Sequence, residues 1–371
     1  MLNDNLIFSN FLHRPMRSFI SVSGIAVGVF LIISTIGLSE GTLRGNARRE
    51  ANTGAEIIVR GAGTFGLSGS EPFHLPVSET VEIAKIEGVK TAVPLGQNLD
   101  AAADSETGSR LIDGVNYDEY QEISGLQIIE GRKLALDGSE AIIDTAWQAQ
   151  KKLKIGSTLK IYEKDFTIVG SYEPASGARI KIPLETMQKQ LLGDTKYCTS
   201  ILVKLDNPNE QEVMAARILQ KFPQNQVILT RDFEELYMHA VPALGVFLNV
   251  VIGVAAFVGI LVILLTMYTA VLERTRQIGI LKSLGMSKFA IVGTIVKESL
   301  LICFFGFLLG VILTAALGFT LTRTTSSMQM AVEWKTILLT LIGGILSGAV
   351  GALYPAIHAA RLDAVEALNY N

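Results

Sequence analysis

Four runs of this chain carry no charged residue over a length that fits a bilayer, and they fix the kind of fold open to it. Phe19–Leu38, Ala240–Leu272, Ser299–Thr322 and Thr336–Ile357 are each free of Asp, Glu, Lys and Arg. About 20 helical residues at ~1.5 Å rise cross a hydrocarbon core of roughly 30 Å, so the pattern predicts four transmembrane helices. Composition agrees: 49% of the residues are hydrophobic and 18% charged, too apolar for an ordinary soluble chain of this length. Arg14 and Arg17 precede the first run as they would in a secretory leader. Leader cores span only about 7–15 residues, however, and no small-residue cleavage site follows, so a retained helix is expected. The second run exceeds one crossing, which predicts tilt or a stalk outside the bilayer.

Between the first two runs the character changes. From Ser39 to about Ala240 charges return, and glycines and prolines punctuate short β-branched stretches. Strands are expected at Glu56–Arg60, Leu126–Ile129, Ala141–Ile143, Thr158–Tyr162, Phe166–Val169, Ser200–Leu205 and Gln226–Leu229. Helices are expected at Glu40–Glu50, Ser78–Ile86, Asp144–Lys152 and Asn209–Phe222. The fold class is thus a membrane α-helical protein of four transmembrane helices, with a large α+β extracytoplasmic domain between the first and second. The expected order is an interfacial helix over 1–16, a span over 17–40, and the α+β domain over 41–240, with a lobe over 101–179 as a candidate insertion. A second span with its stalk follows over 241–272, then a cytoplasmic segment over 273–290, spans over 291–322 and 336–358, and a tail over 359–371. The glycine- and serine-rich stretch Gly61–Pro76 reads as a loop; no Lys follows its glycines as a phosphate loop would need.

Arg14, Arg17, Arg274, Arg276, Lys282, Lys288 and Arg361 flank the spans on one side, against Arg323 and Lys335 in the short loop opposite. The positive-inside rule puts the termini and the 273–290 connection in the cytoplasm. Arg44, Arg48 and Arg49 oppose this, but long domains cross largely regardless of charge. Lys297 and Glu298, at the start of the third span, are expected to snorkel or pair rather than face lipid.

Several chemistries find no support. The four histidines are scattered, the two cysteines lie far apart, and a net charge of −3 argues against nucleic-acid binding. No G-x-x-x-x-G-K-[ST] segment occurs, so ATP hydrolysis by the usual machinery is not expected of this chain, nor is a cofactor of its own.

The short charged connection Glu273–Leu301 is the informative stretch. Ile278, Ile280, Leu281 and Leu284 recur at helix-like intervals among its charges, which suits an interfacial loop or a segment docking in a partner's groove equally well. Over Glu273-Arg274-Thr275-Arg276-Gln277-Ile278-Gly279-Ile280-Leu281-Lys282-Ser283-Leu284-Gly285-Met286 the sequence resembles the coupling segment of MacB/FtsX-type ABC transporter permeases. Arg17-Ser18-Phe19-Ile20 with Gly24-Ile25 and Gly28-Val29 is similar to the first membrane helix of that family. Gly131-Arg132 before Glu140–Asp144, and Ile155-Gly156 before Phe166–Gly170, look like its extracytoplasmic core domain. The tail from Tyr354-Pro355 to Ala367-Leu368 also resembles the family ending, where a proline marks the helix end; Ala364 stands where a proline is usual.

The resemblance implies a permease subunit of the cell membrane that couples ATP hydrolysis by a separate ATPase, with ATP and Mg bound by that partner, to motion of the extracytoplasmic domain, exporting or extruding a substrate by mechanotransmission. Two ATPase copies, a homodimer of this chain and contact with membrane lipids are implied, and a periplasmic adaptor or outer-membrane partner is compatible with it. Glu273, Arg274, Arg276, Ile278, Gly279, Lys282, Leu284 and Gly285 are the expected ATPase-coupling residues. Gly24 and Gly28, a GxxxG pair, are the expected helix interface. FtsX-like signalling to a cell-wall hydrolase outside is the alternative function. A membrane-anchored binding protein with no ATPase also fits the composition, but leaves the 273–286 segment unexplained.

Overall fold

A computed structural model of the protein describes residues 15–61, 73–102, 108–239, 242–273, 275–324 and 329–361. The expected interfacial helix over 1–16 falls outside these except for its last two residues, as does the tail beyond Arg361. The chain divides into two compact units, an α/β unit over 42–241 with 324–327, and a helical unit made of the rest. Helix α1 (Pro15–Ala51) runs unbroken for 37 residues. The sequence reads Glu40–Glu50 as a separate helix; it is instead the continuation of the first span. Polar side chains change what surrounds a helix and not its backbone bonding, and no proline interrupts this stretch.

The α/β unit continues with β1 (Ile57–Gly61), β2 (Leu75–Pro76), α2 (Ser78–Ala84), β3 (Val89–Ala101) and β4 (Ser109–Val115). Next come α3 (Tyr117–Ser124), β5 (Gln127–Gly131), β6 (Glu140–Asp144), α4 (Thr145–Lys151), β7 (Thr158–Ile161) and β8 (Lys164–Glu173). It closes with β9 (Ile180–Pro183), α5 (Leu184–Leu191), β10 (Tyr197–Cys198), β11 (Ser200–Leu205), α6 (Gln211–Lys221), β12 (Asn225–Leu229) and α7 (Phe233–His239). Among the described residues ten strands form one mixed sheet in the order β12-β1-β11-β3-β4-β9-β6-β8-β5, with β7 on β8. Residues 109–183 supply one half of this sheet, and the long strand β3 bonds to both β11 and β4 to join the halves.

The two-residue period of the strands distributes the core between the faces. Ile58, Leu202, Val93, Leu95, Ile142 and Tyr172 point to one face, where a single cluster covers both halves and takes in Ala47 of α1, Tyr120 of α3 and Phe233 of α7. On the other face the core is divided. Ile57, Val59, Ile201 and Val203 pack with Ile83 and Ile218 of α2 and α6, whereas Ala141, Ile143, Phe166 and Ile168 pack with Met187 of α5.

Two of the strands that sequence patterning missed, β3 and β9, have specific causes. β3 contains Pro94 and Gly96, which read as punctuation; its extended course is imposed by partners on both sides. β9 carries Lys181, a charge that argues against a buried strand, yet its side chain is fully buried 2.9 Å from Asp113 Oδ2.

The helical unit consists of the membrane part of α1, α8 (Pro242–Glu273), the short α9 (Thr275–Ser283), α10 (Lys288–Thr324) and α11 (Trp334–Arg361). Among the described residues four helices, α1, α8, α10 and α11, are long and apolar enough to cross a membrane. Helix α11 corrects the reading of Pro355 as a helix end, since it continues to Arg361. Proline in a helix forfeits one bond, here to the Gly351 carbonyl. Ala352, Ala356, Ala359 and Ala360, before and after it in the same helix, are buried.

Candidate coupling site

Helix α9 is a nine-residue helix fixed at both ends by local bonding. Buried Thr275 returns its hydroxyl to the carbonyls of Val271 (3.1 Å) and Leu272 (2.9 Å), tying α9 to the end of α8. At the other end Gly285 adopts φ 92°. Its N–H donates to Lys282 O and the Met286 N–H to Leu281 O, each at 3.0 Å. This is the paired bonding of a helix stopped by a left-handed glycine. Ser287 then caps α10, its hydroxyl accepting from the Ala290 N–H at 3.2 Å. Gly285 is therefore the residue that lets the chain turn between two helices, a position where a Cβ would be strained.

The coupling residues expected from sequence separate into two faces. Ile278 and Gly279 are buried; Ile278 packs with Val271, Ile291 and Ala359. Lys282 is half-buried and its Nζ donates to Ala360 O at 3.2 Å, near the end of α11. Glu273, Arg276, Leu284 and Gly285 are exposed, and Arg274 lies outside the described residues. Sequence reasoning named Leu284 but left Ile280, Leu281 and Phe289 out of the expected set. Ile280 and Leu281 face outward with Leu284, which is 79% exposed, and Phe289 at the start of α10 is 90% exposed. The signal was present in a period that supplies apolar residues to both sides of a nine-residue helix, one side more than burial against its own chain requires.

Gly24 and Gly28 both look toward α8: a Cβ at Gly24 would come within 3.2 Å of Val262, and one at Gly28 within 3.8 Å of Ala255 O. Tighter approaches lie elsewhere. A Cβ on Gly306 or Gly310 of α10 would stand 2.7 Å from Ile25 or Val29 of α1. On α11, a Cβ on Gly351 would stand 2.8 Å from Ile260 O of α8, and one on Gly348 would collide with Cys303 Sγ of α10. Ser21 bonds Thr266 at 3.0 Å and Ser299 bonds Gly348 O at 3.2 Å, hydrogen bonds between helices of the kind apolar surroundings favour. Glu298 is buried within this bundle and Lys297 is exposed. Among the described residues no group of His, Cys, Asp and Glu could hold a metal ion.

Among the described residues, four helices of membrane-crossing length, a mixed α/β domain between the first two in sequence, and a short capped helix between the second and third define a multi-span membrane protein with a large α/β domain. The family model for the MacB-like periplasmic core domain matches residues 18–221, and that for the FtsX-like permease C-terminal region matches 249–364. The chain belongs to the MacB/FtsX-type ABC transporter permease family, and the α/β unit is its extracytoplasmic domain. It is 25% identical over 385 residues to the macrolide export ATP-binding/permease protein MacB of Sodalis glossinidius, covering 96% of this chain but only 58% of that protein. It is 26% identical to the uncharacterized ABC transporter permease MJ1507 of Methanocaldococcus jannaschii, covering 97% of this chain and 96% of the relative. Among solved structures, the periplasmic region of MacB from Actinobacillus actinomycetemcomitans aligns at a TM-score of 0.38 and 14% identity, over 50% of this chain and 95% of that one.

Proposed function

We propose that this chain is the transmembrane subunit of an exporter in which an ATPase partner docks on the outward face of α9 and drives motion of the extracytoplasmic domain. The observation that carries this reading is the exposure of apolar Ile280, Leu281 and Leu284 along and just after α9 and of Phe289 at the start of α10, with Glu273 and Arg276 of the same connection also exposed. Water disfavours such exposure, and a partner groove would cover it. Buried Ile278 and Gly279 and the Lys282 bond to Ala360 O tie the same helix to the ends of α8, α10 and α11, so force applied to α9 reaches three spans. The termini and α9 lie in the cytoplasm on this reading, and the ATPase, present in two copies, binds the ATP and Mg. A second copy of this chain completes the assembly. α8 is the least buried of the four spans and turns Phe247, Val250, Val254, Phe257 and Leu265 outward, a face that suits a homodimer.

Gentle purification from the native membrane, with identification of the proteins that accompany it, tests the reading. A stoichiometric subunit with a phosphate loop, lost from Leu284→Glu and Phe289→Glu variants that still insert, is the expected result. Absence of any ATPase after crosslinking from residues 273–290 would overturn it. A cell-wall hydrolase retained on the extracytoplasmic domain would favour signalling over export.

A further inference from the structure

The last turn of α1 enters the extracytoplasmic domain on the one face whose core is common to both halves of the sheet. Ala47 is buried there, and the polar residues after it reach strands of different halves. Arg49 donates from Nη2 to Asp144 Oδ2 at the end of β6 (3.0 Å) and from Nε to Gly177 O (3.1 Å). The Gly177 N–H returns a bond to Arg49 O at 2.8 Å. Asn52 donates to Ala175 O at 2.7 Å. Glu50 Oε1 accepts from Arg60 of β1 at 3.2 Å and from Gln97 of β3 at 3.3 Å. Gln97 also donates to Asp113 Oδ1 of β4 at 3.1 Å, and Asp113 Oδ2 accepts from Lys181 of β9 at 2.9 Å. Glu50, Arg60, Gln97, Asp113 and Lys181 are all buried, and the two carboxylates balance the two cations.

A buried ionic network is an expensive way to hold a helix on a sheet, because each ion is stripped of water and apolar packing alone would suffice. Unlike packing, hydrogen-bonded charges fix direction and register. We infer that Arg49 and Glu50 form a cross-brace, through which the end of α1 sets the position of the 109–183 half of the sheet relative to the half containing β1 and β11. Arg49 holds the first half through Asp144 and Gly177, and Glu50 holds the second through Arg60. A displacement of residues 42–51 is thereby delivered to both halves at once. This deepens the reading that the domain is driven to move, and rests on that reading only for its purpose; the brace itself is testable with no nucleotide present.

The full chain in lipid nanodiscs is spin-labelled at Val213→Cys in one half and Lys164→Cys in the other, both exposed positions, with native Cys198 and Cys303 buried. A narrow distance distribution is expected. Arg49→Gln and, independently, Asp144→Asn should at least double its width while amide protection of β11 and β8 is kept, and Arg49→Lys should narrow it again. Wild-type width in both variants with protection intact would overturn the brace. Should Arg49→Gln lose protection in β8 and β11, Asp144→Asn alone decides by the same criterion. An ATP-driven shift in the wild-type distance, measured with the copurified ATPase, reports on the coupling reading separately.

Discussion

The backbone of Gly310 in α10 lies directly against Val29 of α1: a Cβ there would stand 2.7 Å from the Val29 Cβ and 2.9 Å from Ala26 O. Gly306 repeats this contact one turn away against Ile25 and Val22 O. The two spans meet through bare backbone on one side and β-branched side chains on the other, close packing that substitutes for the hydrophobic drive missing inside lipid.

Gly310→Ala should therefore lower the unfolding midpoint of the purified chain in detergent, by the roughly 1–3 kcal/mol that overpacking costs. Gly343→Ala on α11, where nothing lies within 4 Å, should leave it unchanged or raise it slightly. Equal effects at the two sites would contradict the packing described.

Gly279 is buried in the middle of α9, and a proline there would remove a helical N–H and push the next turn off the spans. Gly279→Pro should insert normally but separate ATP hydrolysis from transport. Reconstituted vesicles with the ATPase would measure both rates, and unimpaired transport would refute the docking assignment.

Lys181 is wholly buried, with Asp113 Oδ2 at 2.9 Å and the rings of Tyr120 and Tyr172 at 4.7 and 5.2 Å. Burial alone would lower its pKa, but the Asp113 carboxylate outweighs it and holds the ammonium charged. Lys181→Met leaves Asp113 as an uncompensated buried charge and should destabilise the domain by about 3–5 kcal/mol. The double variant Lys181→Met/Asp113→Leu should recover a large part of that in denaturant titrations.

Burial pushes the Glu50 carboxyl above the ordinary carboxylate range, with Arg60 opposing and Asp113 adding to the rise. The unfolded chain then releases this proton at lower pH than the folded one. Stability from this group is accordingly greatest below the ordinary carboxylate pKa and declines as pH rises through the raised value, flattening above it. Amide protection of β3 and β11 followed across that window should show the decline in the wild type, and Glu50→Gln should abolish it.

Cys198 is buried, and burial pushes its thiol up to about 12, first through desolvation and then through the charge of Glu79. Only thiolate reacts readily, so the native chain should resist alkylation near neutral pH and react on unfolding. Prompt labelling of Cys198 by a maleimide, read by mass spectrometry, would contradict its buried placement against the Leu75 carbonyl.

Much of this protein was legible without a structure because its strongest signals are local. Charge-free runs of bilayer length allow one solution, since only a helix satisfies its own backbone in lipid. The strands at Ser200–Leu205 and Glu140–Asp144 announce themselves by β-branched composition, and the connection at 273–286 by its motif. Length and polarity alone placed the α/β domain between the first two spans.

Tertiary structure decided whatever depends on what lies opposite. Pro94 and Gly96 sit in a central strand because β4 and β11 supply both partners, and Lys181 in a buried one because Asp113 waits across the sheet. The faces of α9 could not be assigned from periodicity, which gives the spacing of Ile278, Ile280, Leu281 and Leu284 but not which of them meets Val271 and Ala359. Nor does the sequence reveal that Arg49 and Glu50 grip opposite halves of one sheet. Hydrogen-bond partners 95 residues apart, as Arg49 and Asp144 are, leave no trace in local pattern, because their proximity is a property of the fold and not of either segment.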